Sequence, residues 1–195
     1  MKVALLAGHS RESEGAAVCA GIYKGFGENR LAHEYLPWLA AALSSRGYEA
    51  VITQRAAAGG TSPRFSAMAA NAAGADVALE WHFNSAGASA GGCEVLYWGG
   101  SARGRCFAEG LAERLAAILG VRNRGAKAVR CASDRGYEAF RRSRMPFFMV
   151  EPCFAGSNEE EARRFCELIK SGYFAVAAGS AVADMLAGVY GAGER

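Results

Sequence analysis

The chain is short of histidine, with three in 195 residues, and has little net charge, +3. So mild a charge excludes nucleic-acid binding by bulk attraction alone. Six cysteines occur (Cys19, Cys93, Cys106, Cys131, Cys153, Cys166), but no CxxC pair and no zinc-finger spacing. A chain this long needs no staples, so these are read as reduced, mostly buried thiols. The opening MKVALLAGHS is too short for a signal-peptide core, and no small-residue cleavage site follows. The expected starting place is therefore the cytoplasm, without a signal peptide. The apolar stretch 173–190 is mostly Ala, Gly and Ser and carries Asp184, which argues for a packed helix over stable membrane insertion. What is present is 51% hydrophobic and 21% charged residues, which excludes disorder and suits one domain.

Apolar runs of strand length alternate with helical patterns. Strands are expected at 3–7, 50–53, 75–81, 93–98 and 145–150. Helices are expected at 29–46, from Pro63 to Gly74, at 101–119, after a Ser157/Glu160 capping box, and at the C-terminus. The order predicts an α/β fold, a single domain with a mostly parallel twisted sheet of about six strands flanked by helices. Residues 1–190 form the expected domain and 191–195 a short tail, with no room for a separate wall-binding module.

Three of the apolar strands end in a metal ligand or an acid: His9, His82 and Glu151. Sites in open α/β sheets form beyond the carboxyl ends of the strands. Either histidine alone reads more readily as a turn residue. Two of three at equivalent strand ends favour a metal. A two-histidine site usually takes a carboxylate as third ligand. On a helical wheel with Leu31 at zero, the apolar side of the first helix averages near ~60°, and Glu28 falls close to it. Glu34 lies about 120° away and His33 about 140° away, so both are assigned to solvent. That apolar side includes Trp38. Glu28 also reads as an ordinary acid at a helix start.

In this order the residues resemble the zinc-dependent N-acetylmuramoyl-L-alanine amidases of the type-3 family, especially phage endolysin catalytic domains. GHS at 8–10 follows the first strand, and Glu28 opens the helix that Gly47 closes. VITQR at 51–55 is similar to the family's strand ending in Thr-Arg, with Gln54 interposed. EWHFNS at 80–85 is similar to the His-x-Asn signature, with unusual bulk at Trp81 and Phe83. GCEVLYW at 92–98 and NRGAK at 123–127 resemble the phage branch. VEPCF at 150–154 and Asn158 resemble the Glu-x-x-Phe close. The resemblance implies Zn2+ on His9, Glu28 and His82, Glu151 as catalytic acid/base, and peptidoglycan as substrate. It implies an enzyme that acts on the cell wall after release. Asn84 reads equally as a ligand-orienting residue or a turn cap.

Between Arg103 and Arg144 stand eleven Arg or Lys against four acids, a local excess of +7. It reads equally as a surface for anionic wall polymer or as ordinary solvated charge. Three rival functions remain open: a non-catalytic wall-binding protein of the same fold, a bacterial wall-remodelling amidase, and a cysteine hydrolase built on Cys153.

Overall fold

The computed structural model describes residues 1–191. Apart from Gly191, the expected tail at 191–195 lies outside them. The chain order is β1 (Lys2–Ala7), α1 (Glu28–Ser45), β2 (Glu49–Thr53), α2 (Arg64–Ala72), β3 (Val77–Trp81), β4 (Cys93–Trp98), α3 (Ala102–Leu119), β5 (Asn123–Val129), α4 (Tyr137–Arg142), β6 (Phe147–Glu151), α5 (Glu159–Lys170) and α6 (Tyr173–Tyr190). A short 3-10 turn, Arg55–Ala58, follows β2.

One six-stranded sheet has the order β2-β1-β3-β6-β4-β5. Every neighbouring pair is parallel except β4 with β6. The single α/β domain with a mostly parallel sheet is as expected. Central β1 is apolar on both sides, and so is β3 apart from the buried Glu80, because helices cover both faces. One face carries Val3, Leu5, Leu79 and Trp81 under α1, α3, α5 and α6. There Trp81 meets the rings of Tyr35 at 6.0 Å and Phe174 at 6.1 Å, both edge-on. The other face carries Ala4, Leu6 and Ala78 under the alanine-rich α2 and the short α4. The strongly apolar α6 meets the length and composition test for a membrane span. It packs here on α1 and α3, as a core helix would.

Several local expectations need correction. Trp38 is 66% exposed, not inward, because the buried stripe of α1 runs through Leu31, Tyr35, Leu36, Leu39 and Leu43. His33 and Glu34 are exposed, as expected. The cap of α5 is Asn158, whose side chain accepts from Glu161 N at 3.1 Å. Ser157 instead accepts from Ala86 N at 3.0 Å, so the cap is displaced by one residue, and no capping box closes because Glu161 accepts from Gly92 N and Phe154 N. The cysteines are all free thiols, but only Cys93, Cys153 and Cys166 are buried; Cys106 and Cys131 are exposed. Strand β5 is the element least expected, because an edge strand with Arg124 and Lys127 shows little apolar alternation.

Candidate functional site

Strands β1, β3 and β6 are adjacent and parallel, so their carboxyl ends open at one edge of the sheet. His9 and His82 follow β1 and β3, and Glu151 ends β6. Because β4 runs the other way, its first residues lie at this same edge, where Glu94 pairs with Glu151. The strand-end expectation therefore holds for three residues and misses Glu94, which enters from the start of a strand.

His9 has φ +61°, the one positive φ outside glycine among the described residues. This left-handed turn takes the chain out of β1 and into the 8–27 loop. Gly8 and Gly15 make the approach possible. A Cβ on Gly8 would strike the His82 ring, and one on Gly15 would lie 2.6 Å from His9 Cδ2. Asn29, at the start of α1, donates from Nδ2 to Gly8 O at 2.9 Å and pins the turn to the helix.

Glu28 opens α1 and is buried facing the strand ends. Its Oε1 accepts from Ala16 N at 3.0 Å and lies 3.3 Å from His9 Nε2. Its Oε2 accepts from Phe83 N at 3.3 Å and lies 2.9 Å from His82 Nδ1. The three donor atoms lie within 4.8 Å of one another. Ligands held about 2.1 Å from a tetrahedral ion sit about 3.4 Å apart, so this spacing accommodates a metal ion. Burial is the largest single influence and opposes charge on both Glu28 and His82, but their partners together outweigh it: His82 and His9 lower the Glu28 carboxyl, while Glu28, Glu80 and Glu151 raise the His82 imidazole.

Glu151 behaves differently. Burial, reinforced by the charges of Glu28 and Glu94, pushes it up to about 7 against the opposing pull of His82 and Arg135. Arg135 Nη1 lies 3.3 Å from Glu151 Oε1. Glu151 Oε2 is buried with no hydrogen-bond partner among the described residues. A carboxyl that titrates near neutrality with one free oxygen is suited to taking and returning a proton.

Sequence reasoning missed Glu94 and Arg135, which with Asn84 brace this group. Glu94 Oε1 accepts from Asn84 Nδ2 at 3.0 Å and from Arg135 Nη2 at 2.9 Å, while Oε2 accepts from Arg124 Nε at 2.7 Å. Asn84 Oδ1 accepts from Arg135 Nη1 at 2.8 Å, and its backbone joins Cys153 O and Gly156 N. Asn84 is thus both the turn residue and a brace. A charged residue inside CEVLYW was the available signal for Glu94. The basic segment 103–144 is not one surface: Arg124 and Arg135 turn into the site, while Arg105 and Arg142 pair with acids four residues away.

His9, Glu28, His82, Asn84, Arg135 and Glu151 all line one cleft of about 270 Å³. A second cleft, about 340 Å³, lies at the opposite end of the strands around Trp98, Phe140 and Phe148. Cys153 is fully buried, and burial pushes its thiol well above the usual range, so it is no nucleophile.

A family model described as N-acetylmuramoyl-L-alanine amidase matches residues 3–187. The chain belongs to this amidase family. No curated protein matches the amidase. Among solved structures, it resembles an N-acetylmuramoyl-L-alanine amidase from Clostridium difficile 630, at 20% identity over 99% of this chain and 98% of that one, with a TM-score of 0.74. It also resembles the catalytic domain of CD27L, an endolysin targeting Clostridia Difficile, at 20% identity over 94% and 97% of the two chains, with a TM-score of 0.72. Cwp6 from Clostridium difficile is similar at 19% identity and a TM-score of 0.74; the match covers 96% of the amidase but only 29% of Cwp6. At these identities the likenesses establish the fold.

Proposed function

We propose that the amidase is zinc-dependent, that His9, Glu28 and His82 hold the ion, and that Glu151 is its acid/base. The reaction is hydrolysis of the amide between the lactyl group of N-acetylmuramic acid and L-alanine in peptidoglycan. The observation that carries this reading is the convergence of two imidazoles and a carboxylate within 4.8 Å in the cleft that Glu151 lines. Zinc bound there supplies Lewis acidity, which polarises a carbonyl and acidifies water.

The chain's own residues do the rest. Glu151 Oε2, unpartnered and near neutrality, takes the proton of the attacking water. As the C–N bond breaks, the same oxygen returns that proton to the L-alanine nitrogen; the water's second proton stays on the new lactyl carboxyl, so the products are a carboxylic acid and an amine, which ionise to carboxylate and ammonium. Arg135 holds Oε1 and keeps the carboxylate aimed into the cleft. Phe83 N and Ala16 N fix both oxygens of Glu28.

Residues 1–190 form the catalytic unit in this reading. The biological role proposed is that of a phage or prophage endolysin acting on the wall after release, supported by the phage-like segments at 92–98 and 123–127. Digestion of purified peptidoglycan, followed by mass spectrometry, tests the chemistry. The expected result is new N-terminal L-alanine, abolished by a chelator and untouched by iodoacetamide. Cleavage in the glycan or within the stem overturns it. For the role, cells producing the chain are expected to lyse once their membrane is permeabilised and not before; lysis indifferent to permeabilisation counts against it.

A further inference from the structure

His82 has two ring nitrogens, and they face opposite ways. Nδ1 looks into the donor cluster, 2.9 Å from Glu28 Oε2. Nε2 looks back to Glu80 Oε2 at 3.5 Å. Both of these rearward atoms are buried, and neither has a hydrogen-bond partner among the described residues. Glu80 is fully buried in β3, a place a carboxylate takes only when paired. Its pairing is one-sided. Oε1 accepts from Arg55 Nε at 3.0 Å and from Ser66 Oγ at 2.5 Å, and Arg55 Nη2 lies 2.8 Å from it. Arg55 Nη1 donates in turn to Thr61 O at 3.0 Å. The clamp fixes one oxygen and leaves the other aimed at His82. Strand alternation explains the alignment: residues 80 and 82 point to the same side of β3, and Trp81 points to the other.

We infer that Glu80 is a positioning residue for the metal centre. Its Oε2 accepts the Nε2–H of His82, which places the ring's lone pair on Nδ1 and directs it at the ion shared with His9 and Glu28. At 3.5 Å the pair stands at the outer limit of a hydrogen bond. A carboxylate behind a ligating imidazole fixes its tautomer and orientation and raises its basicity. An apolar residue at position 80 would leave the Nε2–H without a partner in a dry site. Arg55 and Ser66 then serve as the anchor of the anchor, a use the hydrolysis steps do not make of them.

The inference rests on the metal reading above. In Glu80→Gln, the side-chain amide opposes the Nε2–H and favours a proton on Nδ1. Zinc affinity, measured by competition with a chromophoric chelator, is expected to fall about 10–100-fold. Because this substitution also strips Arg55 of its counter-charge, a second measurement uses the wild-type protein. Long-range proton–nitrogen spectra of histidine-labelled, zinc-loaded protein are expected to show the His82 proton on Nε2 and zinc on Nδ1. Unchanged affinity in folded Glu80→Gln, or zinc on Nε2, overturns the inference and leaves the metal centre standing. A wild-type protein that takes up no zinc overturns both.

Discussion

The two faces of β3 divide the work of the molecule. Val77, Leu79 and Trp81 point into an apolar core of aromatic rings meeting edge to face. Ala78 opens the other face, but Glu80 and then His82 interrupt it, served by Arg55 and Ser66. Both faces are equally dry, yet one holds no charge and the other holds several. Burying charge is costly unless every group is paired. The apolar face supplies the rigidity and stability that the polar face consumes. The bulk of Trp81, unusual beside the signature histidine, therefore belongs to the core and not to the cleft.

Substitutions on the two sides should separate chemistry from stability. Glu151→Gln is expected to lower turnover by about 10³-fold or more while the protein still binds metal. Release of N-terminal L-alanine measures the first and elemental analysis the second; near-normal hydrolysis would remove Glu151 from the mechanism. Trp81→Ala acts on the opposite face and is expected to cost about 3–5 kcal/mol of stability in denaturant titration. Its zinc stoichiometry, measured without denaturant, should remain that of the wild type. A Trp81→Ala protein of full stability but no metal would break the division of labour.

The pH dependence of stability sharpens the same contrast. The carboxyl of Glu151 is raised to about 7 on folding, so its unfavourable ionisation begins above the ordinary carboxylate range near 4.5. Its contribution to metal-free stability is greatest below that value and is lost as pH rises toward about 7. Wild-type protein should therefore lose about 3 kcal/mol relative to Glu151→Gln across that window. Metal-free denaturation at pH 4.5 and 7.5 measures the difference, and a constant gap between the two proteins refutes the buried, unpaired state of Oε2. The smallest effect belongs to neither face. Trp38 is exposed on α1, and Trp38→Ala should change stability by less than about 0.5 kcal/mol. A larger loss in a melting experiment would show that Trp38 has a partner.

Much of the site was legible because its residues stand where the chain pattern changes. His9 and His82 break apolar strands at their ends, and Glu28 sits on the inward side of an amphipathic helix. Glu94, Arg135 and Glu80 gave weaker signals. Glu94 lies at the beginning of its strand, and it reaches the site only because β4 runs antiparallel to β6. Arg135 sits on a loop within a basic stretch where no charge stands out. Glu80 is visible as a lone acid in an apolar strand, but its partner Arg55 lies 25 residues earlier. The misplacement of Trp38 has a similar origin. A wheel averages over a whole helix, whereas burial depends on which neighbour covers each turn.

By itself the sequence determined the alternation of strands and helices, hence the α/β class, and the residue types able to hold a metal. These follow from local periodicity and from chemistry that each side chain carries wherever it lies. Only the tertiary structure decided that β4 enters the sheet reversed, bringing Glu94 beside Glu151. It alone decided which nitrogen of His82 faces the cluster and which faces Glu80. It also decided that burial lifts Glu151 while hydrogen bonds from two histidines lower Glu28. A carboxyl's proton affinity depends on the charges and solvent around it, and those are set by residues far away in the chain.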